Sequence, residues 1–196
     1  MSDGVDLGRR RFLGAATGVT SAVGVAFVAV PFLASWKPSA RAQALGAPVE
    51  VDIGKLEDGA MLRVEWRGKP VWVLKRTPEM IERLAAADEM VRDPNSVEPQ
   101  QPGYAANQHR SIRPEVLVVI GSCTHLGCSP MARFEPGTPD LGADWPGGFF
   151  CACHGSKFDL AGRVWRGVPA PLNLVVPPHQ YINESTILVG VDTEAA

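Results

Sequence analysis

All four cysteines and two of the four histidines of this chain fall in two short boxes, Cys-Thr-His-Leu-Gly-Cys at 123–128 and Cys-Ala-Cys-His-Gly-Ser at 151–156. No other feature restricts the fold as much, because two loops far apart in sequence must meet at one point. A tetrahedral zinc site takes four ligands and would leave two of the six side chains over. A two-iron, two-sulfide centre with two thiolates on one iron and two imidazoles on the other also takes four. It leaves one cysteine in each box, and those two are free to pair with each other.

The rest of the chain is consistent with a redox module outside the cytoplasm. It has 196 residues and a net charge of −2, so nothing in its charge balance suggests a nucleic-acid partner. Seventeen prolines and twenty glycines imply many turns and a mainly β fold. Cysteines confined to two boxes argue against a general disulfide scaffold, and a disulfide that persists calls for an oxidising compartment such as the periplasm.

From Phe12 to Ser35 there is no charged residue. As a helix, this stretch would span about 36 Å, enough for a hydrocarbon core of roughly 30 Å. Arg9, Arg10 and Arg11 precede it, and Arg-Arg-Arg-Phe-Leu at 9–13 fits a twin-arginine signal. The charge asymmetry predicts a cytoplasmic N-terminus at 1–11, a single transmembrane anchor at 12–36 and a periplasmic head at 49–196. A cleaved signal peptide ending near Ala40-Arg41-Ala42 is the competing reading. Residues 37–48 are rich in small residues and read as a flexible hinge that its alanines could make partly helical.

In the head, Val49–Ile53 alternates apolar and polar, and Met61–Trp66 and Val71–Lys75 flank a hairpin turn. Thr77-Pro78 reads as the capped start of a helix running to about Arg92. Asp93–Arg113 has no period and contains three prolines, so it reads as an irregular insert, solvent-exposed or set against a neighbouring subunit. Val116–Ile120 suits a buried strand leading into the first box. Phe149-Phe150, Leu174–Val176 and Ile187–Val189 complete the sheet pattern, and Ser129–Gly148 reads as a loop.

The two boxes resemble those of the high-potential Rieske proteins of cytochrome bc-type complexes, and the looser likeness runs from about Val49 onward. The resemblance implies one transmembrane helix and an antiparallel β head with a loop-built cluster-binding subdomain at about 121–173. It implies a [2Fe–2S] cluster on Cys123, His125, Cys151 and His154, with Cys128 and Cys153 as a disulfide. Ser156 would donate a hydrogen bond to a bridging sulfide. Leu126 and Gly127 would form an apolar tip that docks on a cytochrome b subunit, where His154 contacts ubiquinol. The electron would pass to a cytochrome c-type haem within a dimeric complex of the bacterial inner membrane. Phe158 stands where many mitochondrial-type relatives carry a tyrosine, which implies a lower potential. Ala152 replaces a proline common in the second box, and Gly-Val-Pro-Ala-Pro at 167–171 resembles the loop that covers one side of the cluster. His109 and His179 are expected to be solvent-exposed or locally bonded.

Other readings make different demands. Ring-hydroxylating oxygenases and their ferredoxins use the ligand set without the extra cysteine pair or an export anchor. The small subunit of a periplasmic molybdenum oxidase can share both the signal and the pair, and a zinc protein would show no redox spectrum.

Overall fold

The computed structural model describes residues 4 and 6–192, and the chain divides into two compact units, 1–44 and 45–196. In the first, helix α1 spans Leu7–Ala34. The Asp6 carboxylate caps it by accepting from the backbone N–H of Gly8 and Arg9. At 28 residues, with an 18-residue stretch of mean hydropathy 1.8, it is long and apolar enough to cross a membrane. It begins five residues before the uncharged stretch, so Arg9–Arg11 form its first turns. Helix α2, Ala40–Gly46, lies within the expected hinge. The carbonyl of Leu45 accepts from Arg67 N–H at 3.0 Å, so the end of that segment is tied to the head.

The head contains three three-stranded antiparallel sheets. Strands β1 (Val49–Asp52), β2 (Met61–Trp66), β3 (Lys69–Lys75) and β4 (Val116–Ile120) agree with the hydrophobic pattern. The β2–β3 turn uses Arg67 and Gly68, both at positive φ (52° and 70°), the twist a two-residue hairpin favours. Strands β5 (Met131–Arg133), β6 (Gly148–Cys151) and β7 (Ser156–Phe158) form the sheet that carries the second box. Strands β8 (His179–Asn183) and β9 (Thr186–Val189) join β1 in the order β1-β9-β8.

The β2-β3-β4 sheet is the middle layer, which explains the unbroken apolar run of β4. Val71, Val73, Val116 and Val118 pack with Val51, Ile187 and Val189 in one core. The alternate residues Trp72, Leu74, Leu117 and Val119 pack with Cys123, Phe149, Cys151 and Phe158 in the other. A period of two thus assigns one face to each neighbour, and both faces are dry.

Strands β7 and β8 are not marked by the hydrophobic pattern, and three further elements differ from the sequence expectation. Helix α3 covers Pro78–Ala86, capped by Thr77, and stops short of Arg92. Leu174–Val176 is not a strand: Leu174 N–H bonds to Gly162, Val175 O accepts from Ile120, and Val176 N–H bonds to Gln100. Its hydrogen bonds go to three separate segments, so burial accounts for its apolar character. Conversely, Met131–Arg133 is a short strand inside a segment that reads as loop.

The insert after α3 is packed against the head. Val91, Ser96, Ala105, Arg110 and Ser111 are buried. Buried guanidinium groups hold it there. Arg163 donates to Leu84 O, Pro94 O, Asp88 and Asp159. Arg110 donates to Ala161 O, Gly162 O and Gln101, and Arg76 to His109 O, Leu160 O and Ser111. Burial lowers Arg76 and Arg110 to about 10, with Asp159 opposing the shift in each. Burial also pulls on Arg163, but the carboxylates of Asp159 and Asp88 outweigh it and leave that guanidinium more basic than usual.

Candidate metal centre

Two turns of the same kind present the boxes. In each, the N–H of a glycine closes back on the carbonyl of the cysteine four residues earlier: Gly127 on Cys123 and Gly155 on Cys151, both at 2.9 Å. Both glycines have positive φ, 85° and 77°, a conformation that side chains disfavour. The first turn follows β4 and is drawn in further by Cys123 N–H on Cys128 O at 2.7 Å. The second bridges β6 and β7, with Cys151 and Ser156 as paired residues at its base. Gly121 begins the approach to the first box beneath the Trp72 ring, where a Cβ would lie 2.0 Å from that ring.

Cys128 and Cys153 form the disulfide, which joins the two turns across 25 positions of sequence. Cys123 and Cys151 are free and buried, at 4% and 2% exposure. Burial, with the neighbouring Cys123, pushes the Cys151 thiol above its ordinary value. His125 and His154 stand edge to face with ring centroids 4.7 Å apart. His125 is half-buried and its Nδ1 has no hydrogen-bond partner, whereas His154 is exposed. Leu126 (72% exposed) and Gly127 lie at the tip of the first turn.

Two buried free thiols beside an unpartnered imidazole nitrogen form a costly arrangement unless something binds there. The donor set, two sulfurs and two imidazoles on two turns, fits a [2Fe–2S] cluster. The sulfurs of Cys128, Cys151 and Cys153 also lie within 4.8 Å of one another. Two of these are already joined in the disulfide and cannot ionise, so that triad is not a second metal site.

Ser156 is fully buried, and its Oγ accepts from Ala170 N–H at 3.0 Å. Thr124 Oγ1 donates to Leu172 O at 2.6 Å. The 167–173 segment is thereby held to both boxes. Phe158 is fully buried in the core that contains Cys123 and Cys151. Trp145 and Trp165 pack against each other, with Lys157 over both rings. His179 is buried, with Nδ1 2.8 Å from Pro177 O, and His109 is half-buried beside Gln108. A cleft of about 420 Å³ between the insert and the covering segment contains none of the four expected ligands. Sequence reasoning missed the buried arginines, since a lone arginine in a loop gives no signal of burial.

Residues 49–178 match the family described as the Rieske [2Fe-2S] domain, and residues 1–39 match the ubiquinol–cytochrome c reductase Fe-S subunit TAT signal. The chain is 60% identical over 195 residues to the ubiquinol–cytochrome c reductase iron-sulfur subunit of Allochromatium vinosum, covering all of this chain and 94% of that one. It is 41% identical over 189 residues to the subunit of the same name from Blastochloris viridis, covering 96% of each. It is also 41% identical over 174 residues to the mitochondrial cytochrome b-c1 complex subunit Rieske of Schizosaccharomyces pombe, covering 88% of this chain and 67% of that one.

Proposed function

The chain belongs to the Rieske iron–sulfur subunits of ubiquinol–cytochrome c reductase, and from that premise we propose that His154 is its contact with quinol and that Cys123, His125, Cys151 and His154 hold its cluster. When bound, the cluster supplies a one-electron acceptor whose potential is raised because two ligands are neutral imidazoles. The buried Cys123 and Cys151 thiolates provide the negative, soft side of the site. His125 and His154 provide the neutral side, and each keeps one ring nitrogen for a proton. His154 is the exposed member of the pair, so its outer nitrogen is the one a quinol hydroxyl can reach. Ser156 donates its hydroxyl proton toward a bridging sulfide. The disulfide keeps the two turns together, and the 167–173 segment excludes water from one side.

Quinol thus gives up one electron and one proton at this site, and the electron passes on to a cytochrome c-type haem. Cytochrome b and cytochrome c-type subunits of a dimeric complex are the partners, with Leu126 and Gly127 as the docking tip. Residues 1–11 lie in the cytoplasm, 12–36 anchor the chain uncleaved in the bacterial inner membrane, and 37–48 act as the hinge. Residues 49–196 form the periplasmic head, with the cluster-binding subdomain at about 121–173. Arg9–Arg11 before the uncharged stretch support that orientation.

The observation that carries the reading is the exposed His154 ring edge to face with His125, on the two turns that also hold the two buried free thiols. EPR of membranes containing the full chain tests it. An axial low-temperature signal with average g below 2, altered by a quinol-site inhibitor, is the expected result. Zinc without acid-labile sulfide in anaerobically isolated protein would refute it. Co-purification with a molybdenum subunit in place of haems b and c would move the chain to the periplasmic oxidases.

A further inference from the structure

The segment Pro-Ala-Pro at 169–171 has a single backbone N–H, that of Ala170, because proline has none. That N–H is buried and donates to Ser156 Oγ at 3.0 Å. A hydroxyl has one proton to give and two lone pairs. With one lone pair taken by Ala170, the Ser156 hydroxyl is oriented, and its proton has no acceptor among the described residues. Ser156 is paired across the turn with Cys151. A buried hydroxyl proton without an acceptor is unfavourable, and that cost is relieved if the proton points at the metal site.

We infer that the Ala170 N–H is a positioning group for the cluster: by occupying a lone pair of Ser156 Oγ it keeps the hydroxyl proton off the side of the covering segment and leaves it to turn toward the metal site. The covering segment therefore tunes the site as well as shielding it. Two features make the holder stiff. Pro169 and Pro171 restrict the backbone on both sides of Ala170. Thr124 Oγ1 binds the carbonyl of Leu172 at 2.6 Å, tying the segment to the first box. The inference rests on the proposed Ser156 hydrogen bond to a bridging sulfide and adds the group that aims it.

The test is a redox titration of the EPR signal in membranes containing the full-length chain. Ala170→Pro deletes the N–H, Ala170→Gly keeps it, and Ser156→Ala deletes the hydroxyl. Ser156→Ala and Ala170→Pro are each expected to disfavour reduction by at least threefold, about 28 mV at 59 mV per decade for one electron. Ala170→Gly should stay within that margin of the parent. In the Ser156→Ala background, adding Ala170→Pro should produce no further shift. An equal shift from Ala170→Pro with and without Ser156 would overturn the inference, because the effect would then come from shielding alone. No shift from Ala170→Pro, with a clear shift from Ser156→Ala, would overturn it while sparing the serine reading. No shift from Ser156→Ala would overturn both. Should Ala170→Pro fail to assemble, lactate in place of Ala170 removes the same N–H with the side chain unchanged, and the same comparison decides.

Discussion

Arg163 offers the sharpest test of what holds the insert and helix α3 to the segment after β7. It is fully buried, and its guanidinium serves four acceptors: Asp159 Oδ2 at 2.7 Å, Asp88 Oδ1 at 2.6 Å, Leu84 O at 2.7 Å and Pro94 O at 3.0 Å. The two ion pairs are unequal. The Asp88 side chain is 42% exposed, so its carboxylate rehydrates when the partner is lost. Asp159 is 1% exposed and cannot rehydrate, although it still accepts from the N–H groups of Ala161 and residue 163. Arg163→Met therefore leaves one buried carboxylate without its counter-charge and takes a donor from Leu84 O and Pro94 O, which costs about 3–5 kcal/mol. Asp88→Asn should cost only about 0–1 kcal/mol. For a head of this size, the first corresponds to a fall in melting temperature of about 6–20 °C and the second to about 4 °C or less. Urea unfolding of the full chain in detergent, followed by tryptophan fluorescence, measures both. Equal destabilisation by the two variants, or a loss below about 1 kcal/mol for Arg163→Met, would refute the argument that burial at Asp159 sets the cost.

Phe158→Tyr should raise the midpoint potential by roughly 40 mV, the value of one hydrogen bond of about 1 kcal/mol to a ligand sulfur; an unchanged potential in protein-film voltammetry counts against it. Cys128→Ser removes a link spanning 25 positions and should lower unfolding stability by about 3 kcal/mol, with a drop in iron per chain by metal analysis. Burial lowers the pKa of His179, against the opposing pull of Pro177 O and Asp192. The unfolded chain then binds a proton near pH 6.5 that the folded chain refuses, so this residue's contribution is flat above pH 6.5 and falls as pH drops toward the lowered folded value. Urea midpoints for the parent and His179→Gln should diverge only below pH 6.5.

The amino-acid order alone marked the candidate donors and the elements built from local patterns. The two boxes gather every thiol of the chain with two imidazoles, a donor set that zinc and a two-iron cluster can each take. The alternation in β1 and β2 reports burial directly, since one residue's polarity records one residue's surroundings. Tertiary structure decided what depends on several segments at once. Leu174–Val176 reads as a strand but divides its hydrogen bonds among Gly162, Ile120 and Gln100. The insert of 93–113 has no period because Arg110, which donates to distant carbonyls, and Arg76 and Arg163, which donate to carbonyls of the insert, hold it in place of a row of apolar side chains. The partner of Ser156 lies fourteen positions away across a turn. A polar group satisfied at long range leaves no local trace in sequence, because its burial is compensated only once the fold has brought its partners together.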